Sequence, residues 1–156
     1  MLDIVIPGSD TLRFEHLVAD FNGTMAYDGE LLPGAKVGLC RLAEKLTIHI
    51  VTADTFGCAK EALAGIPCEL VVLPATGQDS AKLRYVENLG AARCVCIGNG
   101  RNDRLMLAQA ALGIAVIQRE GAAVETVLAA RVIAPDFGAA LGLLLNPTRL
   151  VATLRS

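Results

Sequence analysis

The sequence has little of what a nucleic-acid-binding or membrane-spanning protein needs. It contains no tryptophan, only 4% aromatic residues and a formal net charge of −2. It therefore offers neither a basic surface for nucleic-acid phosphates nor an aromatic platform for bases. No uninterrupted apolar run is long enough to cross a bilayer, and the run 2–6 is too short for a signal-peptide core. We expect a cytoplasmic protein that binds no nucleic acid and no membrane.

The five cysteines also lack the spacing of a metal site, since no two of them form a C-x-x-C pair. Cys94 and Cys96 alternate on a predicted strand and so share one face, which favours packing in the core over metal or redox chemistry. An odd number of cysteines without a disulfide-like pattern agrees with a reducing compartment.

What the sequence does have is a regular alternation of predicted strands and helices. Its 156 residues, 53% of them hydrophobic, suit one domain with a sizeable core, which we assign to residues 1–156. A hairpin formed by 2–6 and 12–19 is predicted first, and a small flap follows at 26–32. Further strands are predicted at 46–51, 69–73, 93–97, 114–117 and 131–134, and helices at 33–45, 55–64, 79–89, 103–111, 120–130, 137–145 and 147–154. This alternation predicts a parallel sheet covered by helices on both faces.

The stretch 16–29 is the most informative part of the chain. A short apolar run, Leu17 to Ala19, predicts a buried strand that ends on Asp20. Asn22 and Gly23 follow, and both tolerate the positive φ of a tight turn. Open α/β sheets present reactive groups at this place, the carboxyl end of a strand. The pentapeptide alone is equally consistent with a plain turn.

Two further predicted strands end in polar groups. Thr52 brings a hydroxyl to the start of a helix, where backbone N–H groups favour an anion. Asp54 beside it fits a helix cap better than a chemical role. Asp103 closes the loop that follows strand 93–97, and together with Asp20 it could hold a magnesium ion.

Two more side chains have both a functional and an ordinary interpretation. Lys82 could neutralise a phosphate as a point charge, although a lone lysine is more often solvated on the surface. Asn102 fits a turn as well as it fits a site. Gly98 and Gly100 permit a loop that approaches a metal or a phosphate closely.

The order Asp20, Thr52, Lys82, Asp103 resembles that of the haloacid dehalogenase-like (HAD) superfamily, and more narrowly the phosphorylation domain of P-type ATPases. Asp20-Phe21-Asn22-Gly23-Thr24 is similar to the ATPase motif D-K-T-G-T, and Thr52-Ala53-Asp54 to T-G-D. Gly98-Asn99-Gly100-Arg101-Asn102-Asp103 is similar to G-D-G-x-N-D. The resemblance covers about 12–145 and extends to small stand-alone proteins described as soluble P-type ATPases. It implies a three-layer α/β/α Rossmann-like core with an N-terminal hairpin and no cap domain.

The resemblance also implies roles for individual residues. Asp20 would be the nucleophile that forms an aspartyl-phosphate, and Asn22, Thr52 and Lys82 would complete the catalytic set. The implied cofactor is Mg²⁺, held by Asp20, the backbone carbonyl of Asn22, Asn99 and Asp103. The implied phosphate-binding residues are Gly23, Thr24, Thr52, Ala53 and Lys82.

Two departures from the family pattern bear on activity. Phosphatases of the superfamily have a second Asp two residues after the nucleophile as general acid/base, whereas this chain has Asn22 and the ATPases have Thr. Asn99 stands where the ATPase pattern has Asp, and losing that anion should weaken magnesium binding.

The spacing of the motifs leaves no room for the nucleotide-binding domain or the lid that relatives insert. We therefore expect an open site, ATP-driven transport is excluded, and specific ATP hydrolysis is not expected. The expected function is a Mg²⁺-dependent phosphohydrolase, slow on generic phosphoesters, acting on a small phosphorylated substrate or a phosphoprotein. The alternative is a non-catalytic phosphate- or Mg²⁺-binding module that regulates a partner. A homo-oligomer could cover the open site.

Overall fold

The computed structural model of the chain describes residues 1–54 and 57–156. The strands are β1 Leu2–Val5, β2 Thr11–Phe14, β3 His16–Asp20, β4 Ala26–Tyr27, β5 Glu30–Leu31, β6 Thr47–Thr52, β7 Glu69–Val72, β8 Cys94–Gly98, β9 Leu112–Val116 and β10 Val132–Ala134. The helices are α1 Ala35–Ala43, α2 Ala59–Ala62, α3 Gln78–Leu89, α4 Arg104–Gln109, α5 Val124–Ala129, α6 Phe137–Leu145 and α7 Pro147–Leu154.

The central sheet has six strands in the order β10-β9-β8-β3-β6-β7. Every neighbouring pair in it is parallel. Strand β3 lies in the middle, between β8 and β6, so its carboxyl end has a strand end on either side. Polar groups that follow these three strands must therefore meet at one edge of the sheet.

The sheet is covered on both faces because its central strands are apolar on both sides. On one face, Leu17 and Ile50 pack with Leu39 of α1 and Phe137 of α6. On the other face, Val18 and Val51 pack with residues of α3 and α4, namely Val86, Met106 and Leu107. Continuous burial of this kind is typical of parallel strands. The predicted three-layer α/β/α architecture is confirmed.

The two cysteines of β8 lie in the second of these clusters. Cys94 and Cys96 are fully buried, and burial raises the pKa of each thiol above its ordinary value. Each of the five cysteines is a free thiol in the described part of the chain. The prediction that Cys94 and Cys96 pack in the core is confirmed.

Two helices begin several residues after their predicted starts. The helix predicted at 120–130 begins only at Val124, because Gly121 adopts a φ of +71° and turns the backbone back onto Gln118. The helix predicted at 55–64 spans Ala59–Ala62, and Gly57 just before it has a φ of +66°. Its predicted start at Thr55 lies outside the described residues.

The N-terminal hairpin and the flap are both present. Strands β1 and β2 pair antiparallel in a two-stranded sheet of their own. Strands β4 and β5 form the flap, which is all that separates β3 from α1. The absence of an inserted domain at this point of the described chain agrees with the predicted open site.

Helix α3, which carries Lys82, is fastened to the sheet by a buried polar contact. His49 of β6 is 2% exposed, and its Nδ1 lies 2.8 Å from the Tyr85 hydroxyl on α3. Its Nε2 lies 3.0 Å from Nδ1 of His16. Tyr85 is one helical turn from Lys82, so this contact helps to position the part of α3 that carries the lysine.

Among the described residues, no single helix is both long and apolar enough to cross a membrane. Helices α6 and α7 reach the required length and apolar character only as a pair, and they meet at an angle of 99°.

Candidate active site

The polar groups at the strand ends meet in one cavity of about 280 Å³. Asp20 and Thr52 are the last residues of β3 and β6, and the loop after β8 brings Asn99 and Gly100 beside them. The lining consists of Asp20, Asn22, Thr52, Ala53, Gln78, Asn99, Gly100, Asn102 and Glu120. A larger cavity of about 640 Å³ elsewhere shares no lining residue with it, and none of its ionisable side chains is buried.

Lys82 joins the two carboxylates of the site. Its Nζ lies 2.6 Å from Oδ1 of Asp20 and 2.6 Å from Oδ1 of Asp103. Lys82 and Asp103 are both 0% exposed, and Asp20 is 8% exposed. The surface interpretation of Lys82 is therefore wrong. With both carboxyl groups ionised, the two carboxylates and one ammonium carry a net charge of −1, which suits a hard divalent cation.

Asp103 is held in place by the loop that precedes it. Its Oδ2 accepts the backbone N–H groups of Asn99 at 3.0 Å and Gly100 at 2.9 Å. A Cβ on Gly98 would lie 2.5 Å from the same oxygen, so only glycine fits there. These contacts fix the carboxylate before any ligand binds.

Thr24 and Asn99 form a second layer beside Asp20. The Thr24 hydroxyl is buried and lies 3.3 Å from Oδ2 of Asp20 and 3.0 Å from Oδ1 of Asn99. A hydroxyl has one hydrogen, so it donates to one of these oxygens at a time. The side chain of Thr24 faces the site, whereas its backbone N–H donates to Phe21 within the turn.

The turn after Asp20 uses its own backbone groups. The N–H of Gly23 donates to the carbonyl of Ala26 at 2.8 Å. Oδ1 of Asn22 is buried, and it finds no hydrogen-bond partner within the described residues. An orphaned oxygen of this kind at the wall of the cavity fits a site that completes itself with a ligand.

Thr52 and Asp54 have separate functions in the loop after β6. The Thr52 hydroxyl accepts the N–H of Asp54 at 3.0 Å and lines the cavity. The Asp54 carboxylate accepts the N–H of Ala59 at 3.1 Å, so it caps α2 as expected, although Cys58 occupies the N-cap position. Ala53 lies between them and lines the cavity through the same loop.

The charge of Asp20 depends on its surroundings. Burial, and then repulsion from Asp103, raise the pKa of Asp20 to about 7 against the attraction of Lys82. For Lys82, burial acts to lower the pKa, but the two carboxylates together raise it above its ordinary value. A cation beside Asp20 would favour its charged form.

The oxygen donors present fit magnesium. Two carboxylates and an orphaned amide oxygen are hard ligands, and Mg²⁺ binds a few protein oxygens while keeping several waters. In the described part of the chain, no three His, Cys, Asp or Glu side chains converge on one point. The predicted metal-binding roles of Asp20, Asn22, Asn99 and Asp103 therefore stay predictions.

The structure also brings to the site residues that the motifs did not indicate. Gln78, at the start of α3, accepts a hydrogen bond from the Asn102 side chain at 2.7 Å. Gln78 and Asn102 also line an adjoining groove of about 450 Å³ that contains Arg101 and Arg104. Glu120 enters the cavity from the loop after β9. The rule of strand carboxyl ends could have indicated Glu120, had the helix predicted at 120–130 not included it.

At the sequence level the chain is similar to an archaeal protein. It is 46% identical over 79 residues to the uncharacterized protein MJ0073 of Methanocaldococcus jannaschii, a match that covers 48% of this chain and 85% of that protein. No protein-family profile matches the chain.

Solved structures show the fold. The chain is similar to a putative HAD family hydrolase from Streptomyces avermitilis, with a TM-score of 0.68, 21% identity and 87% of each chain covered. It is similar to 3-deoxy-D-manno-octulosonate 8-phosphate phosphatase from Moraxella catarrhalis, solved with magnesium and phosphate ions, with a TM-score of 0.67, 16% identity and 92% and 88% covered. It is also similar to the catalytic domain of the CPx-ATPase CopB-B, with a TM-score of 0.60 and 28% identity over 74% of this chain and 46% of that one.

The raised pKa of Asp20 predicts how stability depends on pH. Between pH about 4 and about 7, the unfolded chain ionises this carboxyl at its ordinary pKa of 3.8 while the folded protein still holds the proton. Rising pH therefore favours the unfolded state, and we expect the metal-free protein to lose stability relative to the Asp20→Asn variant. At about 1.4 kcal/mol per pKa unit, the difference in unfolding free energy should change by no more than about 4 kcal/mol.

Urea unfolding of both proteins in EDTA, repeated across this pH range, measures that difference. A difference that stays constant with pH would contradict the assignment of the raised pKa to Asp20.

Proposed function

We propose that this chain, which belongs to the same family as protein MJ0073 and has the fold of the HAD-like hydrolases, is a Mg²⁺-dependent phosphohydrolase that works through an aspartyl-phosphate on Asp20. The observation that carries the proposal is the pair of buried carboxylates, each 2.6 Å from the ammonium of Lys82. Asp20 ends β3, and Asp103 closes the loop after β8. The predicted resemblance to the HAD superfamily is confirmed for the fold.

In the first step an oxygen of Asp20 attacks phosphorus, and the bond from phosphorus to the leaving oxygen breaks. Lys82 would offset negative charge on the phosphoryl oxygens, and the Thr52 hydroxyl would donate a hydrogen bond to one of them. Ala53 lines the cavity, and Gly23 and Thr24 lie in the turn after Asp20. Asp20, Asp103 and oxygens of Asn22 and Asn99 would hold Mg²⁺, which when bound supplies positive charge beside the transferring group. The raised pKa of Asp20 makes cation binding a means of keeping this carboxylate ionised.

In the second step water must attack the acyl phosphate, and here the chain is poorly equipped. The amide of Asn22 cannot accept a proton from water or donate one to an alkoxide. General acid/base help is typically worth about 10²–10⁴ in rate. We propose slow turnover and a preference for good leaving groups, such as acyl or aryl phosphates, in a small substrate or a phosphoprotein.

The same site geometry also supports a second candidate function. Asn22 and Asn99 favour a non-catalytic module that binds phosphate or Mg²⁺ and regulates a partner protein. The buried set of Asp20, Lys82 and Asp103 favours the enzyme, because burying three charges is costly and their arrangement suits phosphoryl transfer.

We also propose that residues 1–156 act as one catalytic unit in the cytoplasm. The five free thiols support a reducing compartment, and the net charge of −2 supports partners other than nucleic acid.

The nucleophile can be tested by trapping it. We expect incubation with acetyl phosphate and Mg²⁺ to add one phosphoryl group, located on Asp20 by mass spectrometry. Asp20→Asn should abolish labelling, whereas Asp3→Asn, which changes an exposed carboxylate on β1, should label like the native protein. Labelling of Asp20→Asn at the native level would rule out Asp20 as nucleophile.

The role of position 22 can be tested by restoring a carboxylate. Asn22→Asp is nearly isosteric, and we expect it to raise steady-state turnover of aryl phosphates by about tenfold or more, because a general acid/base becomes available. Asn102→Asp is the matched control, since it places a carboxylate in the same cavity from another loop and should not accelerate turnover. If a folded, Mg²⁺-binding Asn22→Asp is no faster on any phosphoester, the regulatory function becomes the better proposal.

Because the site is open, we expect something other than a cap domain to cover it. Water exclusion favours phosphoryl transfer, and no described segment of the chain is inserted over Asp20 as a cap domain. We expect either self-association over the strand ends or a macromolecular substrate that covers the site. Sedimentation equilibrium gives the mass in solution, and a strict monomer with rapid turnover of small phosphoesters would contradict both expectations.

A further inference from the structure

Asn99 differs from the ATPase pattern in charge, and its amide makes a contact that an aspartate could not. Nδ2 of Asn99 donates to the carbonyl of Gly121 at 3.0 Å. The backbone carbonyl of Asn99 accepts the N–H of Ala123 at 2.9 Å. An ionised aspartate at position 99 has no hydrogen to give to Gly121. Asn99 therefore removes an anion from the loop after β8 and, through its hydrogen bonds, holds the loop after β9 in place.

Gln118 ties the same loop to the turn that follows Asp20. Its Nε2 donates to the carbonyls of Gly23, at 2.8 Å, and Thr24, and its Oε1 accepts the N–H of Phe137 at 3.0 Å. The N–H of Gly121 bonds back to the Gln118 carbonyl at 2.8 Å. The loop is thus held at both ends, and Glu120 lies between the two fixed points.

The carboxylate of Glu120 occupies space that a side chain at position 23 would fill. Its Oε2 and the Nδ2 of Asn99 both lie in contact range of a Cβ placed on Gly23. Glu120 also lines the cavity that contains Asp20 and Asn22. The loop after β9 therefore delivers a carboxylate beside the amide of Asn99, where the ATPase pattern has its aspartate.

We propose that Glu120 supplies the divalent-cation site with the negative charge that position 99 has lost. This inference rests on the proposed function, since it concerns the same cation. Glu120 is exposed, and three acidic side chains do not converge in the described part of the chain, so Glu120 would act at longer range, through a water on the cation. Mg²⁺ keeps several of its waters in proteins, and outer partners of metal sites typically change affinity by about 10–100-fold.

Binding of Mn²⁺, without substrate, tests the proposal independently of activity. We expect Glu120→Gln to weaken Mn²⁺ binding by about tenfold or more, measured from the electron paramagnetic resonance signal of the free ion. Glu125→Gln is the matched control, because Glu125 is a half-exposed carboxylate nearby in the chain that pairs with Arg101 on the surface. It should bind Mn²⁺ like the native protein.

A second variant tests whether a carboxylate at position 99, in the loop after β8, can replace the one at position 120, in the loop after β9. In the Glu120→Gln background, Asn99→Asp returns one carboxylate to the site. It also removes the hydrogen bond from Asn99 to Gly121, but in this background the loop after β9 has no carboxylate for that bond to position. We expect this double variant to bind Mn²⁺ more tightly than Glu120→Gln alone. Equal or weaker binding would count against the proposal.

The outcomes separate this inference from the proposed function. If Glu120→Gln binds Mn²⁺ like the native protein while Asp103→Asn does not bind, the inference is overturned and the cation site stands. Unchanged binding together with slower turnover of Glu120→Gln would also overturn it, in favour of an acid/base role. If neither variant loses Mn²⁺, the cation site itself is wrong. Asp20→Asn replaces Asp103→Asn in this comparison should the latter not fold.

Discussion

The contact on which the site depends is the buried ammonium of Lys82 between Asp20 and Asp103, 2.6 Å from each. Two carboxylates that lie this close away from water repel each other strongly, and removing one partner of such a set typically costs about 3–5 kcal/mol. The lysine can join them only if β3, β8 and α3 are correctly placed. His49 and Tyr85 help to set the position of the helix.

The parallel order of the sheet makes that contact possible. Because β3 lies between β6 and β8, three carboxyl ends reach one edge, and residues far apart in the chain become neighbours. Apolar residues on both faces of the central strands drive this arrangement, since a sheet covered on both sides buries nearly all of its side chains. The polar groups are confined to the strand ends, where loops can supply their hydrogen bonds.

The two amides, Asn22 and Asn99, change the chemistry of the site at these strand ends in different ways. Asn22 retains its position on the wall of the cavity, but its buried Oδ1 has no partner among the described residues, and the amide cannot move a proton. Asn99 uses both ends of its amide, towards Thr24 and towards Gly121. Replacing a carboxylate by an amide thus removes charge and at the same time adds a donor, and the donor ties a second loop to the site.

The sequence by itself determined the parallel sheet, the helices α6 and α7, and the order of Asp20, Thr52 and Asp103, because each follows from local apolar patterns and strand ends. Local pattern alone left Lys82 and Asn102 open, since a lysine or asparagine has the same local pattern on a surface and in a site, and only the family resemblance implied a role for Lys82. Only the tertiary structure showed that Lys82 is buried between two carboxylates, that Gln118 holds the turn after Asp20 and that Glu120 lines the cavity. Those facts depend on hydrogen bonds between residues up to 95 positions apart, such as the bond from Gln118 to Gly23, and no local pattern encodes contacts of that range.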